Sequence, residues 1–232
     1  MKISKRKKQF AGLVDPDKSY SIAEAVAILK KAPKTKFDET VEVALKLGVD
    51  PKQSDQMVRG TVALPHGTGK RVKIAVFCRE NLQAKAKEAG ADVIGADDLV
   101  EKVRKGEIDF DVAVSSPDMM KEVGTLGKIL GPRGLMPNPK VGTVTQDVAK
   151  AVKELKFGRI EFKLDKQADI HVAVGKISFS DQALAENITS FYQTLLKTRP
   201  ASVKGAFIQR MTVSSTMGPG VRLDVTQLKE AS

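Results

Sequence analysis

The sequence predicts a mixed chain, α/β and α+β, of two domains: an outer discontinuous α+β sandwich from residues 1–67 and 159–232, and an α/β domain inserted at residues 68–158. Three observations predict it. Apolar residues alternate with polar ones near both chain ends, the mark of half-buried strands. Between those ends, short continuous apolar runs alternate with helical segments, the pattern of βαβ units. A chain of 232 residues is also long enough to form two modest cores.

Residues 1–8 (MKISKRKK) carry five positive charges and no acid. The run reads either as a solvated tail or as an arm that neutralises phosphates. Ser21 followed by Glu24 is a capping-box signature, and Ile22, Val26 and Leu29 then recur at helical spacing until Pro33, predicting a short amphipathic helix. From Thr40 to Val49, residues Val41, Val43, Leu45, Leu47 and Val49 alternate strictly. This predicts a strand whose other face carries Thr40, Glu42 and Lys46. Beyond the turn-rich DPKQSD, residues Val58, Thr61, Val62 and Leu64 predict a second strand, pairing with the first in an antiparallel sheet with one open face.

After PHGTGKR at 65–71 the pattern changes. Strand-like VKIAVF, helix-like NLQAKAKEAGA, a short DVIG, helix-like DDLVEKVRKG and DVAVSS follow in turn. Pro117 suits the start of another helix. Residues 144–156 place Val148, Val152 and Leu155 on one helical stripe before Gly158. The alternation then returns in RIEFKLD and IHVAVG, a capped helix is predicted over 181–198 before Pro200, and FIQRMTVSS and VRLDV complete the outer strands. Gly67 and Gly69 sit at one crossing between the domains and Gly158 at the other. Glycine absorbs backbone rotation at low steric cost, so these three are hinge candidates.

Charge narrows the function classes. The chain has 39 Lys and Arg against 28 Asp and Glu, a net +11, which points to a polyanionic partner. No apolar run reaches the roughly 18 residues of a spanning helix, and the N-terminus lacks the apolar stretch of a secretory signal. A cytoplasmic protein is expected, with no membrane partner and no obligate homo-oligomer. Cys78 is the only cysteine, and His66 and His171 are the only histidines. They are too few for a zinc site or a disulfide scaffold, so no metal and no cofactor is expected. With no Trp, 2 Tyr and 9 Phe, stacking of many bases on aromatic platforms is disfavoured.

Catalytic readings fail on spacing. In GTGK at 67–70 the earlier glycine of a phosphate loop is replaced by Leu64, and Arg71 stands where Ser or Thr is needed. The turn after VKIAVF is CREN, without the glycines that let a backbone approach pyrophosphate. No nucleophile-elbow pattern surrounds any serine, and His171 reads as a polar residue on a strand. An enzyme acting on RNA therefore has no recognisable active site, and no catalytic residue is assigned.

Two strings stand out instead. Residues 80–118 hold ten acids and five bases, whereas residues 121–159 hold three acids and eight bases. Within the basic stretch, KILGPRGLMPNPK at 128–140 is too rich in Gly and Pro for a helix or central strand. It is expected to form an exposed, shaped loop, and such loops tend to carry function. The other string, SSTMGPG at 214–220, is either a plain strand-ending turn or a place where hydroxyls and bare backbone approach phosphate or ribose. Before the first long strand, Lys36 offers a phosphate partner, and Phe37 a ring that either stacks on RNA or fills the core.

Four strings together, FDETVEV at 37–43, RGTVALPHGTGK at 59–70, LGPRGLMPNPKVGTVT at 130–145 and TMGP at 216–219, closely resemble the L-one family of large-subunit ribosomal stalk proteins. The resemblance covers essentially the whole chain. It implies a discontinuous domain I and an inserted, Rossmann-like domain II. It further implies a structural protein that binds large-subunit rRNA in a mobile stalk near the exit site, meets the departing exit-site tRNA, and represses its own operon by binding the mRNA. The rRNA and mRNA surface carried over by this likeness is Phe37, Thr40, Glu42, Thr216, Met217 and Gly218, with Lys36, Lys166 and His171 added by position; it leaves Lys128, Arg133 and Lys140 of the basic loop as a candidate secondary RNA or tRNA contact.

Overall fold

The structure, a computed structural model, describes residues 9–226 apart from 11, 16 and 34. The basic run at residues 1–8 lies outside the described residues, as do the side chains of residues 54 and 140. In chain order the elements are α1 (Ile22–Lys31), β1 (Thr40–Leu47), β2 (Arg59–Ala63), β3 (Ile74–Phe77), α2 (Glu80–Glu88), β4 (Val93–Gly95) and α3 (Asp97–Arg104). There follow β5 (Val112–Ser115), α4 (Met120–Thr125), α5 (Gly127–Leu130), α6 (Val148–Lys156), β6 (Arg159–Lys163), β7 (Asp169–Lys176), α7 (Asp181–Lys197), β8 (Ile208–Ser215) and β9 (Gly220–Arg222). Helix and strand are mixed throughout. No helix among the described residues is long and apolar enough to cross a membrane.

The described residues fall into two compact units, the first within Met1–Gly69 and Ile160–Ser232, the second Lys70–Arg159. In the first unit a four-stranded sheet runs β7-β1-β8-β9, antiparallel at every pairing. Helix α1 begins as its sequence predicts: Ser21 and Glu24 exchange hydrogen bonds with each other's backbone N–H, satisfying two otherwise orphan donors. Its buried residues Ala25, Val26 and Leu29, and Leu184, Ile188, Phe191 and Leu195 of α7, join Val41, Val43, Leu45 and Leu47 of β1 in one core. Each fully buried large apolar side chain contributes about 1.5–3 kcal/mol relative to exposure. That burial fixes which face of the sheet is dry.

Strand β2 does not pair with β1 as the sequence suggested. Both edges of β1 are occupied, by β7 and by β8, and β2 forms a separate two-stranded sheet with β6. Gly60 permits this, because a Cβ there would come within 2.7 Å of the Phe162 ring. Phe162 in turn packs edge-on against Phe191 of α7, 5.7 Å between centroids.

The second unit carries a parallel sheet of order β4-β3-β5. On one side, Ile74, Val76, Ala86, Val148 and Val152 form one core. On the other, Ala75, Phe77, Leu99, Val103, Val123 and Leu130 form a second. All four residues of β3 are buried, as expected of a parallel strand covered on both faces. Two expectations change here. Helix α6 starts at Val148, capped by the Asp147 carboxylate accepting from Lys150 N–H at 3.1 Å. Val144, placed in that helix by its spacing, instead bridges Ser115 as a short parallel partner. The segment 128–140 is not exposed throughout either. It opens with the helical turn α5, Leu130 is buried, and Leu135 and Met136 pack against the same core. Only Gly131–Gly134 is exposed as a run.

Candidate nucleic-acid interface

With the odd residues of β1 in the core, its even residues face away, as does the complementary set on each neighbour. Register decides who stands beside whom. Glu42 lies between Ala173 and Ser214, and Ala44 between His171 and Thr212, with Arg222 beyond Thr212. Lys46 lies between Asp169 and Arg210. All of these residues are exposed or half-buried. The result is an open face of polar and cationic side chains interleaved with small ones, where a partner's backbone can come close. Lys46 is engaged, 3.5 Å from Asp169. Arg210 and Arg222 are exposed and have no carboxylate partner among the described residues.

At one end of β1 the chain builds a locked turn. Thr216 N–H donates to the Thr40 carbonyl at 3.0 Å, and Thr40 N–H donates to Thr216 Oγ1 at 3.0 Å. Gly218 N–H closes the turn on the Ser215 carbonyl at 3.0 Å. Beneath it lies Glu39, only 5% exposed, which accepts the Ser215 hydroxyl at 2.5 Å and Met217 N–H at 3.1 Å. A carboxylate buried this deeply persists because donors are aimed at it. Gly218 is required by space: a Cβ there would overlap Ser215 Oγ, which Glu39 prevents from turning away.

The approach to β1 is held just as firmly. Asp38 accepts from Ser178 N–H at 3.2 Å and from its hydroxyl at 2.7 Å. Thr35 Oγ1 donates to the Phe37 carbonyl at 2.7 Å, and Lys176 Nζ donates to Thr40 Oγ1 at 2.9 Å. Phe37 and Met217 nonetheless remain 54% and 48% exposed. Large apolar side chains held in solvent by a rigid backbone are the unusual feature here. Phe37 is thus a surface ring rather than a core residue.

Thr40, Thr216, Met217 and Gly218 come together in the structure, with Phe37 three residues before Thr40 and exposed Lys36 beside it. Glu42 and His171 lie on the open face, in adjacent rows. Lys166 does not join them: it sits exposed in the turn between β6 and β7, at the opposite end of β1. In that turn Asp165 Oδ1 accepts N–H from Gln167 at 2.7 Å and from Asp169 at 2.8 Å. Those bonds, that from Asp169 foremost, hold its carboxyl below the usual range. In the second unit Lys128 and Arg133 are exposed, while the side chain of Lys140 lies outside the description.

The residue that sequence reasoning passed over is Glu39. A signal existed, since Glu39 has the parity of Val41 and Val43 and so points to the dry side, where an unpaired acid would not be tolerated. Among the described residues no group of three or more His, Cys, Asp or Glu is placed to hold a metal ion. Cys78 is buried and free, and burial pushes its thiol up. Chemically, the arrangement suits the binding of an extended anionic, hydroxyl-rich partner.

The comparisons with known proteins agree in kind. Residues 29–219 match the ribosomal protein L1p/L10e family. The large ribosomal subunit protein uL1 of Protochlamydia amoebophila is 56% identical over 97% of this chain and 95% of its own length. Those of Kosmotoga olearia and Beutenbergia cavernae are 52% and 53% identical, over 99% and 97% of this chain and 99% and 95% of their own lengths. The class is therefore that of ribosomal proteins. Within it, the chain belongs to the ribosomal protein L1p/L10e family.

Proposed function

We propose that the chain is a structural component of the large ribosomal subunit that grips rRNA with the turn at 215–218 and the adjoining open face of the outer unit. The observation that carries this reading is the buried Glu39 carboxylate, which holds the turn rigid while Met217 and Phe37 stay in solvent. RNA presents 2′-hydroxyls, sugar edges and phosphates, and a preformed surface of bare backbone, small side chains and cations suits shape recognition. Phe37, Met217 and the Gly218 backbone are the contact groups. Thr40 and Thr216 act chiefly by holding each other, since their bonds are made within the protein. Glu42 accepts from RNA donors, and Lys36, Lys166 and His171 add electrostatic attraction.

The two units act in this reading as a discontinuous domain I and an inserted, Rossmann-like domain II, whose order β4-β3-β5 is that of a doubly wound sheet. Domain II then moves on Gly67, Gly69 and Gly158, whose φ values of 67°, 71° and 100° other residues adopt only with strain. The buried Asn187 side chain donates to the Gly67 carbonyl at 3.0 Å, which anchors the first crossing on the side of the outer unit. The assembly forms the mobile stalk near the exit site, Lys128, Arg133 and Lys140 meet the exit-site tRNA, and the same domain I surface binds own-operon mRNA to repress translation. Filter binding to an rRNA fragment at several salt concentrations tests the core of this: Met217→Asp should weaken specific binding strongly, and wild-type affinity in that variant would overturn the reading.

A further inference from the structure

Where β1 ends, two consecutive backbone amides hold two separate loops. Leu47 N–H donates to the Ala168 carbonyl at 2.9 Å, and Gly48 N–H to the Phe207 carbonyl at 2.8 Å. The first loop is the Asp165 turn, in which Ala168 adopts a φ of 63°, a conformation that costs a non-glycine residue energy. The second runs from Arg199 to Phe207. Its backbone is wrapped by the Arg199 guanidinium, which donates to the carbonyls of Val203 at 3.0 Å and Gly205 at 3.2 Å. Gly48 lets this loop lie close, because a Cβ there would overlap the Ala206 carbonyl.

The tips carry Lys166 and Lys204. Both are exposed, and neither has a hydrogen-bond or carboxylate partner among the described residues. Between them opens a depression of about 640 Å³ whose lining includes Lys46, Lys166, Lys204, Ser202 and Gln209. Asp50 is the one acid in that lining, and its carboxylate is turned to Lys52 N–H at 3.0 Å. Lys46 is engaged by Asp169 and the Gln167 carbonyl. The two unpaired ammonium groups therefore face an open space lined by Ser202, Gln56 and Gln209 among apolar residues, with Asp50 the one carboxylate at its border, on loops fixed to the end of the strand that starts at the Thr216 turn. Seven residue-to-residue steps of β1, from Thr40 to Leu47, separate the two ends by about 23 Å at roughly 3.3 Å per step.

We propose that this depression is a second anion site, taking a phosphodiester group of the same RNA that the Thr216 turn grips, so that the RNA is anchored at both ends of β1. The inference rests on the RNA-binding reading above, which already counts Lys166, and adds Lys204 as a contact and the depression as the place where the two lysines meet one phosphate. The turn recognises and the lysine pair attracts. An ammonium that neutralises one phosphate releases about one condensed counterion, so its removal should flatten the salt dependence of binding.

The test measures affinity for a large-subunit rRNA fragment across a salt series, for the wild-type chain, Lys204→Glu, Lys166→Glu and a control of equal charge change, Lys105→Glu, at an exposed residue of the second unit. Lys204→Glu and Lys166→Glu should each lose about tenfold in affinity at low salt and flatten the slope of log K against log salt by about one, whereas Lys105→Glu should stay within about twofold. If Lys204→Glu matches Lys105→Glu while the wild-type chain binds, the second site is wrong and the RNA-binding reading survives. If the wild-type chain itself does not bind, both fall.

Discussion

The sheets of the two units bury their strands differently. Along β1 alternate residues are sealed and the intervening ones reach solvent, while every residue of β3 is sealed. The cause lies in the connections. Antiparallel neighbours let helices α1 and α7 cover a single face of the outer sheet, whereas the crossovers of a parallel sheet lay helices on both. A sheet with a bare face can meet a macromolecule across its strands, and a sheet covered twice can present only loops and helix surfaces. The outer unit therefore has a broad, rigid surface to offer, and the inserted unit a basic loop.

The sharpest way to separate the two is to damage the inserted core alone. Phe77→Ala removes a fully buried ring packed edge-on against Phe110. It should destabilise that unit by about 3–5 kcal/mol in thermal unfolding while leaving rRNA affinity intact, and a parallel loss of affinity would break the contrast. Next in size, Glu39→Ala strands the buried Ser215 hydroxyl, at a cost of about 1–3 kcal/mol, and removes the carboxylate that accepts Met217 N–H. Lower melting temperature and at least about tenfold weaker rRNA binding should appear together. Gly218→Ala should lower affinity somewhat less, about severalfold, by displacing Ser215 Oγ from Glu39. Its signature is that an added Ser215→Ala change, which removes the clash, causes little further loss.

Thr216→Val keeps the side chain's shape and loses its bonds to Thr40, costing about 0.5–1.5 kcal/mol, read as about a threefold to tenfold drop in affinity. Smallest of all, Arg133→Ala should leave rRNA affinity within about twofold, since the exposed loop of the inserted unit lies outside the proposed grip. A large loss there would move the interface into the second unit.

Much of this was legible in the sequence, because period-two alternation and capping signals report local physics. The Ser21–Glu24 box, the inward set of β1 as far as Leu47 and the run of βαβ elements stand where the pattern put them, while Val49, given to the same strand by its parity, lies half-buried beyond its end. Pairing partners were harder to read: β2 alternates correctly whether it joins β1 or β6, and only competition for the edges of β1 decides. The segment at 128–140 misled through its glycines and prolines, which hide that Leu130, Leu135 and Met136 still find a core. Of the candidate site, Thr216, Met217 and Gly218 were reached by resemblance. Glu39 was missed because its importance depends on two donors 176 and 178 residues away, a distance no local pattern spans. Lys166 was grouped with the Thr216 turn when only the length of β1 could show them at opposite ends.

The most direct measurement is a footprint on large-subunit rRNA, comparing the whole chain with one in which residues 68–158 are replaced by a short flexible linker, circular dichroism confirming that the shortened chain folds. If the outer unit carries the grip, the same nucleotides are protected in both. Protection that disappears from a folded, shortened chain would contradict it.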